Sequence, residues 1–100
     1  MSALLIINYN VTDPDALVGY RDAAVEILVG PDRGTLRVVT HETIDLGEGD
    51  GAGTTTVILE FASVEVAREI FDSPEYQAII GDRLAATEPK HAYIVPTLEA

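Results

Sequence analysis

Arg83 is the residue most suited to bind a ligand. It sits in the apolar-rich stretch "AIIGDRLAA" (Ala78 to Ala86). A guanidinium offers a planar fork of donors that matches a carboxylate or other anion. The competing role is a structural ion pair, with Glu48 or Glu60 as partner. Tyr76 and Ser73 lie in "DSPEYQ" (Asp72 to Gln77), where a helix is broken and restarted. Free N–H groups at a helix start favour a small anion; plain capping by Ser73 and packing of Tyr76 account for the same residues. His41 is the candidate general base, because histidine titrates near neutrality; a half-exposed strand histidine is the alternative. Tyr9, with Asn8, is placed on the first strand and can line a pocket between sheet and helices.

Other chemistries find no support. The chain has two histidines and no cysteine. Thiolate ligands, disulfides and a cysteine nucleophile are therefore absent. No H-x-H or H-x-x-x-H spacing preforms a metal site, and the acidic loop from Asp45 to Asp50 lacks calcium-loop spacing. Haem has no evident axial ligand beyond the same histidines. No glycine-rich phosphate loop joins a strand to a helix. No cofactor and no metal are expected.

Charge narrows the partners. Asp and Glu number 17 against 6 Lys and Arg, a net charge of −11. Such a chain repels a phosphate backbone and an anionic membrane surface, so nucleic acid and membrane are not expected partners. The longest apolar run, "ALLII" (Ala3 to Ile7), is far short of the ~20 residues that span a bilayer. No basic leader precedes it and no small-residue cleavage site follows, so no signal peptide is expected. A cytoplasmic location fits these features.

The elements that must position these residues follow from periodicity. One domain over residues 1–100 is expected from the length. "ALLIINYN" (Ala3 to Asn10) reads as a buried strand. Thr12 or Asp13 caps a helix with Pro14 in its first turn, and Leu17, Tyr20, Ala24, Ile27 and Leu28 form its apolar stripe. Gly30-Pro31 ends it. A second strand is expected over Gly34 to Ile44, with Leu36, Val38 and Thr40 facing one way and Arg37, Val39 and His41 the other. "DLGEGDGAG" (Asp45 to Gly53) is a flexible turn. "TTTVILEFA" (Thr54 to Ala62) is the third strand. Ser63 caps the next helix, and Val66, Ala67, Ile70 and Phe71 form its stripe. Asp72 or Ser73 caps the segment beyond Pro74; with Asp72 as cap, Glu75 completes a capping-box-like arrangement. Tyr76, Ile79, Ile80 and Leu84 are its apolar side. "HAYIVPTL" (His91 to Leu98) is the last strand, ending at a sheet edge because of Pro96.

The order β-α-β-β-α-β, with right-handed crossovers, predicts a ferredoxin-like α+β fold. It has a four-stranded antiparallel sheet in spatial order 4-1-3-2 and both helices on one face. Strands one and three are apolar on both faces, whereas a sheet covered on one side alternates to polar on the other. A second copy packed on the free face, related by two-fold symmetry, resolves this; a homodimer is expected.

The stretch "TTVILEFASVEVAREIFDSPEYQAIIGDR" resembles the core signature of the Domain of Unknown Function 1330 family. That signature reads strand, Glu-Phe, a Ser cap, a helix, Ser-Pro-Glu-Tyr-Gln and a following Arg. Glu48-Gly49 matches the family's upstream Glu-Gly. The resemblance runs from Ala3 to about Leu98. It departs at "GPDRGT" (Gly30 to Thr35), where the family has a Gly-Gly-Arg turn, and at Ile70-Phe71, where Trp is common. It implies a dimeric α+β barrel and draws attention to Glu48, Ser73, Tyr76 and Arg83. A small-molecule ligand between sheet and helices is the functional expectation. The alternative is a cofactor-independent enzyme, isomerase or monooxygenase-like, acting on a small oxygenated substrate.

Overall fold

A computed structural model describes residues 1–98. The elements run β1 (Ala3–Val11), α1 (Pro14–Leu28), β2 (Thr35–Thr40), β3 (Thr55–Phe61), α2 (Val64–Phe71), α3 (Pro74–Ala86) and β4 (Thr87–Pro96). The four strands form one antiparallel sheet in the order β2-β3-β1-β4. This is the expected ferredoxin-like arrangement, with β1 and β3 central.

Local signals set the helix starts. Asp13 caps α1, its Oδ1 accepting from the Ala16 N–H, and Pro14 occupies the first turn. Ser63 caps α2, its hydroxyl accepting from the Val66 N–H. At the break, Ser73 caps α3 by accepting from the Tyr76 N–H. Asp72 instead closes α2, its N–H bonded to the Arg68 carbonyl. The Asp72-capped arrangement is therefore not adopted. Pro74 lacks the N–H a continuing helix needs, so the chain turns there and restarts.

The core lies between the sheet and the helices. Leu5, Ile7 and Tyr9 of β1 and Leu59 and Phe61 of β3 face α1 through Leu17, Tyr20, Ala24 and Leu28. Ala67, Tyr76 and Ala86 close it from the other helices. The opposite sheet face carries Leu4, Ile6, Ile58 and Val95, each partly exposed, and the exposed Val38 and Tyr93.

Strand boundaries and faces differ from expectation at both edges. β2 stops at Thr40, not Ile44, although the Thr43 N–H still reaches the Thr54 carbonyl. Leu36 pairs with Leu59 but Val38 with Ile58, so Arg37 is an extra residue in the ladder. This bulge places Leu36 and Val39 on the helix side and Val38 on the free face, in place of the simple alternation. β4 starts at Thr87, four residues before His91. Pro89 lies on an edge strand, which tolerates proline, and the register shift at Asn8/Tyr9 leaves Lys90 as an extra residue of β4.

Candidate anion-binding site

Tyr76 and Arg83 are seven residues apart on α3, two helical turns, and both turn inward. Tyr76 is fully buried and Arg83 only 3% exposed. Tyr20, on α1, meets Tyr76 with hydroxyl oxygens 2.6 Å apart. Their rings lie edge to face, centroids 6.4 Å apart, and the Phe71 ring packs at a tilt against Tyr76, centroids 5.1 Å apart. The helices that carry the pair are tied where they meet: the N–H groups of Thr12 and Asp13 both donate to the Ala86 carbonyl. Thr87 donates its hydroxyl to the Arg83 carbonyl and so secures the last turn of α3.

The guanidinium is the unusual member. Among the described residues no carboxylate pairs with it, and its Nε is buried without a hydrogen-bond partner. The structural partners named from sequence are engaged elsewhere or distant from any pairing. Glu60 binds Arg37 at 2.9 Å, and the Ser2 hydroxyl first and Arg37 second hold its carboxyl below the usual range. Glu48 stands exposed in the loop after β2 and forms no ion pair among the described residues.

Electrostatics keep Tyr20 neutral. Burial, then the neighbouring Tyr76 through charge and hydrogen bond, push the Tyr20 hydroxyl far above its ordinary value; Arg83 is near enough to pull the other way. Tyr20 therefore stays a hydrogen-bond donor. The pair holds two O–H groups and spends one on the mutual bond, so one remains to donate outward.

Tyr20 also forms one wall of a cleft. It opens between α1 and the β2–β3 side of the sheet, with a volume of about 130 Å³. Ile7, Leu28, Leu36, Val39 and Val57 line it, with the partly buried Arg21 at its margin. The β2 bulge supplies Val39 to this wall.

The remaining sequence candidates separate. Tyr9 is buried on the helix side, in the same core cluster as Tyr20. Asn8 does not share that pocket. It faces the other way, donating to the carbonyls of Gly53 and Thr55 and to the Thr56 hydroxyl, and accepting from the Gly53 N–H. It fastens the long loop to β1. Ser73 is committed to capping, its hydroxyl donating to the Ile70 carbonyl and accepting from Tyr76. His41 is exposed just past β2, its Nδ1 2.9 Å from the Thr55 hydroxyl; no hydrogen bond joins it to the tyrosines or Arg83. Sequence reasoning counted Tyr20 as core and missed its place in the site. The available signal was a tyrosine, with a hydroxyl to satisfy, on the buried stripe of α1. Among the described residues, no group of three or more His, Asp or Glu side chains is arranged to hold a metal.

The sequence profile described as Domain of unknown function (DUF1330) matches residues 2–98. The chain belongs to that family. The match spans every strand and helix, so the DUF1330 signature and the ferredoxin-like fold describe the same stretch of chain. A comparison with curated proteins gives no match. Among solved structures, the chain is similar to RPA0582, a protein of unknown function from Rhodopseudomonas palustris, with a TM-score of 0.66 and 19% identity over 99% of this chain and 84% of that one. It is also similar to SnoaB, a cofactor-independent oxygenase from Streptomyces nogalater, with a TM-score of 0.58 and 10% identity over 99% of this chain and 95% of that one. At these identities the likeness is one of fold, that of the dimeric α+β barrel subunit. No helix among the described residues is long and apolar enough to cross a membrane.

Proposed function

We propose that this DUF1330 member is a cytoplasmic homodimer that binds a small organic ligand in the cleft between α1 and the sheet. The observation that carries the reading is the cleft itself, about 130 Å³ with walls that are almost wholly aliphatic. An apolar cavity of ~150 Å³ accepts a molecule the size of benzene, so the space suits one ring or a short branched chain. Burying such a body stabilises the complex by about 25 cal/mol per Å² of apolar surface removed from water.

The dimer part of the reading rests on the free sheet face. Leu4, Ile6, Ile58 and Val95 alternate with the core-facing residues, where a solvent-facing sheet carries polar side chains. A second copy on that face leaves the cleft, on the opposite side of the sheet, open.

A thermal-shift screen of small organic molecules tests the ligand. A ligand that binds only the folded state raises Tm. Hits are expected for wild type and are expected to disappear in Val39→Trp, which fills the cleft. No hit, or hits indifferent to Val39→Trp, would remove the reading.

Catalysis without a cofactor is the second reading. It is favoured by the buried Arg83 and the hydrogen-bonded tyrosine pair, donors able to stabilise a developing negative oxygen. SnoaB, an oxygenase that works without a cofactor, shares the fold. Under this reading His41 or a carboxylate is the base, and His41 has to leave Thr55 to reach the tyrosines.

A further inference from the structure

Arg83 poses a problem of charge balance. A guanidinium is a fixed cation with five donors. Taking an ion out of water costs several kcal/mol unless a partner of opposite charge and good hydrogen bonds offset it. Arg83 is 3% exposed, its Nε has no acceptor, and no carboxylate pairs with it among the described residues. Tyr76 precedes Arg83 by two turns on the same helix, and the Arg83 charge reaches the Tyr20 hydroxyl. A protein that carries 17 acids has nevertheless placed none of them against this cation among the described residues.

We propose that Arg83, together with the outward-donating hydroxyl of the Tyr20–Tyr76 pair, binds the carboxylate of a small organic acid. The proposal deepens the cleft reading and rests on it for the apolar body of the ligand, since Tyr20 belongs to both the cleft and the hydroxyl pair.

The chemistry selects this class. A carboxylate has one charge, matching the single buried cation. Its two oxygens accept separately, one from the guanidinium and one from the tyrosine O–H. A phosphate would bring a second charge with no second buried cation to meet it. A neutral amide or alcohol would leave the guanidinium uncompensated. In the homodimer proposed above, the second copy packs on the face of the sheet opposite α3 and brings no charge to Arg83. The cleft adds room for a body near the size of one ring.

Benzoate, benzamide and acetate, titrated calorimetrically into the wild-type protein, separate the contributions. Benzoate is expected to bind at least tenfold more tightly than benzamide, its neutral isostere, and more tightly than acetate. Arg83→Met is expected to weaken benzoate tenfold or more and leave benzamide unchanged. In buffer free of organic acids it is expected to melt at or above the wild-type temperature, because it replaces an unpaired buried charge by an apolar chain of similar length. The double variant Tyr20→Phe/Tyr76→Phe keeps the charge, removes both hydroxyls and is expected to weaken benzoate severalfold, which tests the hydroxyls' part in the site. Benzamide binding as well as benzoate would overturn the carboxylate site and leave the cleft reading standing. Acetate binding as well as benzoate would uphold the carboxylate site and overturn the cleft reading. No binding by any of the three would overturn both. Preferential benzoate binding that survives Arg83→Met, or a lower melting temperature for that variant, would also overturn the proposal.

Discussion

The Tyr20 and Tyr76 hydroxyls meet at 2.6 Å, although the two residues are 56 positions apart in the chain. This contact joins α1 to α3 within the apolar layer. Removing one hydroxyl leaves the other buried without a partner, at a cost of about 1–3 kcal/mol. Tyr20→Phe and Tyr76→Phe are each expected to lower stability by that amount. The double variant is expected to lose little more than either single one, because no orphan remains. Urea unfolding of the four proteins measures the coupling, and additive losses would mean the bond contributes nothing.

Stability is expected to fall at alkaline pH through Tyr20. Its folded-state value is raised above the ordinary 10.0. The folded protein therefore keeps the proton more firmly than the unfolded chain does. The associated stability is complete below pH 10 and is lost as pH rises past it, by about 1.4 kcal/mol per pH unit. Unfolding curves between pH 9 and 11 should show the loss in wild type and a shallower one in Tyr20→Phe. Identical slopes would contradict the assigned burial of the hydroxyl.

The loop between β2 and β3 depends on Asn8 and on the absence of a side chain at Gly53. A Cβ at Gly53 would lie 2.3 Å from the Tyr9 carbonyl carbon and 2.5 Å from its oxygen, both backbone atoms. Gly53→Ala is expected to cost about 1–3 kcal/mol as overpacking. Asn8→Ala strands the Gly53 N–H and is expected to cost a similar amount. Both should raise amide hydrogen exchange from Glu42 to Ala52. Unchanged exchange in Asn8→Ala would show that other contacts hold the loop.

The free sheet face predicts a specific monomer. Ile58 pairs with Ile6 and with Val38 at the centre of that face. Wild type is expected to scatter light with about twice the 10.7 kDa chain mass. Ile58→Glu should give one chain mass, because two carboxylates would be buried against each other. A monomeric wild type at micromolar concentration would remove the dimer.

The sequence by itself determined the order of elements, the antiparallel sheet and the cap at Ser63, and it narrowed the other two caps to adjacent pairs, Thr12 or Asp13 and Asp72 or Ser73. These depend on neighbours: Asp13, Ser63 and Ser73 each satisfy an N–H three residues on, and the two-residue alternation of β3 survives unaltered. Arg83, Tyr76 and Tyr9 could also be named as candidates, from residue type and from the family signature. The tertiary structure decided the rest. The bulge at Arg37 turned Val39 into the cleft wall, and no local pattern marks an extra residue in a ladder. Strand β4 began within "TEPK" because β1 offered it partners, whatever its own propensity. Tyr20 joined the candidate site only when α3 brought Tyr76 against it. Whether Arg83 had a carboxylate partner was likewise a matter of distance: Glu60 and Glu48 are equally available in the sequence, and the fold assigns one to Arg37 and leaves the other exposed. Spacing along a chain constrains which residues share a face; only the packed structure says which charges meet.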